Sequence, residues 1–506
     1  MTTFKQIGVI GSGAMGRGIA QLFASAGVEV LLHDSRSEAI EQALMHNRES
    51  LERAAAKGKI SADVLADTLE RMRAAHTLQE LAGCDLLIEA IVENLEAKQK
   101  LFRELEQLVS RDAVLASNTS SLSITLIASA CEHPQRVAGF HFFNPVTLMK
   151  IVEVVRGERT AAQVIERLSA LARHAGHFAA VTPDSPGFLV NHAGRAYGPE
   201  ALRILAEGIA TPAQIDRILR DCLGFRMGPF ELFDLVGLDI SHAVMESIHD
   251  QFYQDPRYTP SSLVPARLAA GLLGRKTGQG FYRYEEGRVV EDARVELPPV
   301  AINQPFWLDC RDAAMRDKIG AVLSSAGAVL EQGEQPGSNA ICLVTPLGED
   351  ASSAIARRQL PVARSLALET FAGFDRRRVL MRHPGLDANV LAQARQALGA
   401  DGVPVEVIND SPGFIAQRVL ASIVNLGCEI VQRRIVDPAT LDRAVQLALG
   451  YPHGPLGFGD EYGAMNIQQI LQALHDCYQE PRYRLSPWLR RRVQLGLPLT
   501  TAEESA

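Results

Sequence analysis

Gln6-Ile7-Gly8-Val9-Ile10-Gly11-Ser12-Gly13-Ala14-Met15-Gly16 is the stretch on which the fold turns. An apolar run of strand length leads straight into Gly-x-Gly-x-x-Gly, and residues 17–27 then carry a helical pattern. Gly11 permits a tight turn, Gly13 lets backbone approach a diphosphate, and Gly16 lets the helix pack close to the strand. The unpaired N–H groups and positive dipole end of that helix would face the diphosphate. A second apolar strand, residues 28–33, ends at Asp34, 21 residues past Gly13. A carboxylate there accepts both ribose hydroxyls and repels a 2′-phosphate, so NAD is expected rather than NADP. Arg36 is the one nearby group that could serve a phosphate instead.

Outward from this loop, strand patterns recur at residues 86–90, 114–117, 137–140 and 151–155, with a helical pattern at 94–110. Strands alternating with helices imply an α/β, Rossmann-type doubly wound parallel sheet. From Asp184 to about Gly274 the pattern becomes helical, so an all-α domain follows. Asp184-Ser185-Pro186-Gly187-Phe188 returns as Asp410-Ser411-Pro412-Gly413-Phe414, an offset of 226. At that same offset Asp216 meets Asp442, Gly224 meets Gly450 and Gly228-Pro229 meets Gly454-Pro455. Asp234 meets Asp460 and Gly237 meets Gly463. A constant offset across so many features indicates duplication. Residues 340–344 and 403–408 read as strands in an eroded second nucleotide-type domain, and Arg378–Pro384 echoes Arg136–Pro145. The expected organisation is therefore 1–183 (NAD-binding domain), 184–285 (helical substrate and dimerisation domain), 286–404 (a charged linker at 286–300, then a degenerate Rossmann-like domain) and 405–506 (a second helical domain).

The chain has 506 residues, 47% hydrophobic and 22% charged, the balance of a globular protein of several domains. A net charge of −8 argues against a nucleic-acid surface. Seven scattered cysteines without a C-x-x-C pair suggest free thiols, with no zinc site or disulfide framework. No apolar run is long enough to span a membrane. The first residues, Met1-Thr2-Thr3-Phe4-Lys5, do not read as a signal peptide, so a cytoplasmic protein is expected.

Several segments together resemble the 3-hydroxyacyl-CoA dehydrogenase family. They are Ser117–Leu122 (SNTSSL), Gly139–Pro145 (GFHFFNP), Met149–Val155 (MKIVEVV), Asp184–Asn191 (DSPGFLVN), Gly228–Asp239 (GPFELFDLVGLD) and Gly274–Tyr282 (GRKTGQGFY). The resemblance runs from residue 6 to about 285 and resumes less fully from about 405 to 496. It implies NAD-dependent oxidation of an (S)-3-hydroxyacyl-CoA to the 3-oxoacyl-CoA. His141 matches the family's catalytic base, and Glu153 the carboxylate that fixes its tautomer. Histidine suits the role because its ordinary pKa lies near neutrality. By the same matching, Ser120 would hydrogen-bond the substrate's C3 oxygen and touch the nicotinamide ribose. Asn191 would hold the substrate from the helical domain, placing the reaction in a cleft between domains. Gly11, Gly13, Met15, Gly16, Asp34, Glu93, Lys98 and Asn144 fall on cofactor contacts. Lys57, with Lys59 beside it, is a candidate for the coenzyme A phosphates.

In the second half the nearest counterparts depart from this pattern. Gln417 replaces Asn191, and His383 is the nearest match to His141 but has Arg395 twelve residues on. The chain is also expected to end before any counterpart of Gly274–Tyr282. A catalytically empty repeat is expected, giving either a homodimer or an intramolecular pseudo-dimer of the duplicated helical domains. The tandem form resembles bacterial dehydrogenases of aromatic breakdown, in particular those oxidising 3-hydroxyadipyl-CoA in the phenylacetate pathway; 3-hydroxybutyryl-CoA is the rival substrate. Another NAD enzyme acting on a non-CoA hydroxy acid, or a non-catalytic NAD-binding protein on this fold, are the alternatives of other classes.

Overall fold

The computed structural model describes residues 4–290 and 298–503, so part of the expected linker lies outside the described residues. The first stretch comprises β1 (Gln6–Ile10), α1 (Ala14–Ser25), β2 (Glu29–His33), α2 (Ser37–Ala56), α3 (Ala62–Arg71), β3 (Met72–Ala75) and β4 (Leu86–Glu89). It continues with α4 (Leu95–Leu108), β5 (Val114–Ser117), α5 (Ile124–Ala128), β6 (Val137–Phe142), β7 (Ile151–Arg156), α6 (Ala162–His174), β8 (Phe178–Pro183) and the single turn α7 (Val190–Ala193). These strands form one eight-stranded sheet in the order β3-β2-β1-β4-β5-β6-β7-β8. It departs from the expected all-parallel sheet at one place: β6 and β7 are antiparallel, with His141 opposite Glu153. The twelve-residue spacing reverses the chain within the short loop between them, which leaves no room for the crossover helix that parallel neighbours need. The helix after the glycine loop starts at Ala14, earlier than its pattern suggests, because Gly13 caps it in extended conformation.

The remaining elements are α8 (Gly198–Ala206), α9 (Pro212–Leu223), α10 (Pro229–Val236), α11 (Leu238–Gln251), α12 (Leu263–Ala269), and a hairpin of β9 (Tyr284–Glu285) with β10 (Arg288–Val289). Then come β11 (Phe306–Asp309), α13 (Ala313–Ser325), β12 (Ile341–Val344), α14 (Ala351–Arg357), β13 (Ser365–Leu368), β14 (Arg378–Arg382), α15 (Ala388–Leu398) and β15 (Val405–Asn409). The chain closes with α16 (Ala416–Gln432), α17 (Pro438–Leu449), α18 (Pro455–Tyr462), α19 (Ala464–Tyr478) and α20 (Pro487–Leu495). The second sheet runs β11-β12-β13-β14-β15 and is parallel except for the β13–β14 pair. Its directions repeat those of β4-β5-β6-β7-β8.

The chain divides into two compact units that do not follow its linear order. One holds residues 1–192 together with 434–449; the other holds 193–433 and 450–506. In the first, α17 packs on β7 and β8 through a face that buries Leu441, Ala444 and Val445. In the second, α9 lies along β15: Gln214 Nε2 donates to Val407 O at 3.0 Å and Arg217 Nε to Glu406 Oε1 at 2.8 Å. The bounds of α9 and α17 differ by the sequence offset itself. Each unit thus contains a sheet from one half of the chain and a Pro-initiated helix from the other.

Within the second unit, Asp460 accepts the amides of Leu499 and Thr500. Asp234 does the same for Phe281 and Tyr282. The chain therefore does reach a counterpart of the 274–282 segment, which letter matching misses because the contacts the two places share are backbone amides. Among the described residues no helix is long and apolar enough to cross a membrane. Nor does any group of three or more His, Cys, Asp or Glu there stand close enough to hold a metal ion.

Candidate active site

The glycine loop fits a dinucleotide. Gly11 has a φ of +101°, and a Cβ there would sit 2.5 Å from Ala90 O. A Cβ on Gly16 would sit 1.7 Å from Gly11 O, so both positions exclude side chains, while nothing lies within 4 Å of that point on exposed Gly13. Asp34 stands at the end of β2, where its Oδ2 accepts Ser12 N and Ser12 Oγ, each at 2.9 Å, and its Oδ1 accepts Arg36 N at 3.1 Å. Burial pushes this carboxyl up, but the hydrogen bonds from Ser12 and Arg36 and the Arg36 charge outweigh it and hold it below its ordinary value. An ionised acceptor is what a ribose diol requires. Met15 is half-buried against the core behind the loop.

His141 ends β6 almost fully buried, its ring 4.6 Å from that of Phe143 and 5.9 Å from that of Phe188. Its Nδ1 lies 2.5 Å from Glu153 Oε2. A carboxylate can only accept, so Nδ1 carries the proton and Nε2 is left unprotonated, able to accept one. Glu153 is fully buried, and its other oxygen accepts Leu189 N at 2.9 Å and Val190 N at 2.8 Å. One carboxylate thus orients the imidazole and pins the first turn of α7, which carries Asn191. Asn191 Nδ2 donates to Ser120 O at 3.3 Å, so Asn191 belongs to the same compact unit as His141 and Ser120.

Ser120 is held by a network only partly foreseen. Glu93 Oε1 accepts Ser120 N at 2.9 Å, Thr119 Oγ1 at 2.6 Å and Ser121 N at 3.1 Å. Burial raises the Glu93 carboxyl, but the Lys98 charge and these donors overcome it and lower it. Lys98 is itself buried, with Nζ 3.3 Å from Glu93 Oε2 and 2.6 Å from Glu89 Oε1. Glu93 and Lys98 therefore act first on the loop that presents Ser120. Glu89 escaped the sequence reading because a glutamate ending an apolar strand carries no motif of its own. Asn144 is exposed in the β6–β7 loop, and Lys57 is exposed just past the end of α2.

Register corrects the second-half counterparts. Val181 and Val407 are related by the 226 offset; Val181 faces Val154, which faces Phe140, and Val407 faces Leu380, which faces Leu368. Glu369 therefore takes the place of His141, and Val379 that of Glu153. His383 lies beyond β14, hydrogen-bonded to Ser365 O and Gly385 N. Glu369 is buried, and Gln417 Nε2, at the place of Asn191, donates to its Oε1 at 2.9 Å. Burial pushes the Glu369 carboxyl up to about 7, despite the hydrogen bonds from Gln417 and nearby amides. The folded protein then holds a proton that the unfolded chain has lost, and the stability this gives disappears as pH rises from the ordinary carboxylate value to about 7. Glu369→Gln is expected to be more stable than wild type at pH 8, on the order of 2 kcal/mol, with no gain at pH 4. Thermal melts at both pH values check this; an equal change at each would refute it.

This arrangement, a dinucleotide loop beside a carboxylate-oriented histidine, defines a dehydrogenase of alcohol groups. The chain matches the 3-hydroxyacyl-CoA dehydrogenase NAD-binding domain over residues 6–185 and the C-terminal domain of that family over residues 187–284 and 413–504. It belongs to the 3-hydroxyacyl-CoA dehydrogenase family, and its cofactor is NAD. It is 36% identical to 3-hydroxyadipyl-CoA dehydrogenase of Escherichia coli strain K12, over 98% of both chains. It is 42% identical to a probable 3-hydroxybutyryl-CoA dehydrogenase of Bacillus subtilis, over 56% of this chain and 98% of that one. A crystal structure of 3-hydroxybutyryl-CoA dehydrogenase from Escherichia coli K12 superposes with a TM-score of 0.85 at 34% identity, covering 97% of this chain and 99% of the other.

Proposed function

We propose that this NAD-dependent 3-hydroxyacyl-CoA dehydrogenase oxidises (S)-3-hydroxyadipyl-CoA, and that His141 is its base. The contact between His141 Nδ1 and buried Glu153 carries the proposal. Nε2 takes the C3 hydroxyl proton, and Glu153 stabilises the imidazolium that results. Ser120 Oγ, held by the Glu93 clamp, donates to the C3 oxygen, and Asn191 orients the thioester arm. NAD, when bound at Gly11, Gly13, Gly16 and Asp34, supplies the hydride acceptor.

The six-carbon dicarboxylate is favoured by the name of the Escherichia coli relative that matches nearly the whole chain; a role in phenylacetate breakdown is part of the same proposal and rests on the resemblance of the tandem sequence alone. The 3-hydroxybutyryl-CoA reading is supported by the name of the full-length crystal structure. Comparing kcat/KM for the two substrates decides between them. A preference of about tenfold or more for the adipyl ester is expected; a reversed preference overturns it, and no turnover of either ester would favour a non-catalytic NAD-binding role.

We also infer that the second half is a degenerate, catalytically empty copy. The repeated strand directions and helix bounds support this, as do Glu369 and Gln417 at the places of His141 and Asn191. The four sequence segments (1–183, 184–285, 286–404, 405–506) are then two repeats, and the helical halves pair within one chain as a pseudo-dimer. Seven free cysteines support a reducing, cytoplasmic setting.

A further inference from the structure

Behind the loop that presents Ser120, five side chains form a closed ring. Glu89, at the end of β4, accepts Lys98 Nζ through Oε1 and Ser117 Oγ through Oε2, each at 2.6 Å. Lys98 Nζ reaches on to Glu93 Oε2 at 3.3 Å, and Glu93 Oε1 accepts Thr119 Oγ1 at 2.6 Å. Thr119 N donates to Ser117 Oγ at 3.2 Å, which returns the ring to Glu89. Ile91 N is a further donor to Glu89 Oε1, at 2.7 Å. Glu89 is fully buried, with no surface to offer a substrate or cofactor. Taking a carboxylate and an ammonium out of water is costly, and apolar side chains of similar size commonly hold a fold as well.

The second sheet keeps the same strand directions without such a ring. Along its register Asp309 stands at the place of Glu89 and Val344 at that of Ser117. Asp309 pairs instead with Arg358, at 2.8 Å, and a valine has no hydroxyl to close the circuit. In the first half the ring ends beside a group with chemistry to do: Ser120 follows Thr119, and its N donates to Glu93 Oε1 at 2.9 Å. We propose that Glu89 is a positioning residue of the dehydrogenase reaction, closing the ring that sets where Ser120 Oγ meets the C3 oxygen. The inference rests on the reading of Ser120 as the donor to that oxygen. Hydrogen-bond polarity makes the carboxylate particular. It only accepts, so the Ser117 hydroxyl donates to it and keeps a lone pair for Thr119 N. A glutamine holding Lys98 and Ile91 N with its oxygen turns its NH2 toward Ser117, whose own proton then has no acceptor in the ring.

The test is a double-mutant cycle on the full-length chain, read as the rate of acetoacetyl-CoA reduction by NADH. Glu89→Gln is expected to lower kcat about tenfold, with a smaller change in KM for acetoacetyl-CoA, because the Ser120 contact strengthens as charge gathers on the C3 oxygen. In a Ser120→Ala background the same substitution should cost less than about twofold, since nothing is left to position. Ser117→Ala opens the ring at the other oxygen of Glu89 and leaves the ion pair in place. A loss of about threefold is expected for it, again absent beside Ser120→Ala. Thermal melts report whether Glu89→Gln folds, and Ser117→Ala decides the matter where it does not. Equal losses with and without Ser120 would make Glu89 a structural group only and overturn the proposal. Full kcat in a folded Glu89→Gln variant, or in Ser117→Ala where Glu89→Gln does not fold, would overturn it as well. Wild-type kcat in Ser120→Ala would instead defeat the reading of Ser120, and the inference with it.

Discussion

Replacing His141 with glutamine is expected to lower kcat about a thousandfold, while the dissociation constant for NADH stays within about twofold. Positioned general bases typically contribute a hundredfold to ten-thousandfold, and a second device here raises the estimate above the lower end. Glu153 fixes the proton on Nδ1 through the 2.5 Å contact, so Nε2 is unprotonated and ready to accept a proton before substrate arrives. Glutamine keeps a polar side chain but cannot take a proton. Glu153→Gln should cost less in kcat than His141→Gln, because the imidazole remains. Its pH–rate profile should shift as the imidazolium loses its carboxylate. Steady-state kinetics with acetoacetyl-CoA and NADH, alongside fluorescence titration of NADH, measure both variants. A His141→Gln variant retaining a tenth of wild-type kcat would remove this residue from the chemistry.

The largest stability effect is expected at Arg418, on α16. Its side chain is fully buried, with Nε donating to Glu200 Oε1 at 2.6 Å and Nη1 and Nη2 donating to Glu207 at 2.7 and 2.8 Å. Tyr483 and Arg482 also bind Glu200. Burial alone would raise the Glu200 carboxyl, but the Arg418 and Arg482 charges overcome it and bring it down to about 2. Removing the guanidinium leaves buried carboxylates short of their partner, which costs about 3–5 kcal/mol. Arg418→Met should therefore melt roughly 10 °C below wild type near neutral pH. Glu200 is depressed in the folded state, so its stabilisation is present above the ordinary carboxylate value and lost as pH falls toward 2. The gap between variant and wild type should accordingly narrow on acidification. A change of only a degree or two would show that the network contributes little to holding α16 against α8.

What could be read before any coordinates depended on how each feature is encoded. The glycine loop, Asp34 and the His141 and Glu153 pair were legible because local chemistry dictates them: a turn, a strand end, two spaced side chains. Strands β3 (MRAA) and β8 (FAAVTP) were not, since both are alanine-containing and lack a clear alternation. Misplacing the second-half counterpart of His141 had a different cause. The letters of Arg378–Pro384 imitate β6, whereas hydrogen-bond register makes β14 the analogue of β7, and register is a property of neighbours rather than of composition.

The helix carried by residues 434–449 sets a timetable for biosynthesis. The sheet it covers is complete once residue 183 has been made, and the rest of its unit by residue 192. From residue 192 to the end of α17 at residue 449 a further 257 residues must be translated (449 − 192), a delay of roughly 13–51 s at elongation rates of about 5–20 residues per second. During that interval the places on β7 and β8 that α17 contacts lack that helix on the nascent chain, and a holding chaperone or an early-folding partner segment would find its target there. A ribosome stalled between codons 192 and 434 should therefore display the catalytic half in its most aggregation-prone form.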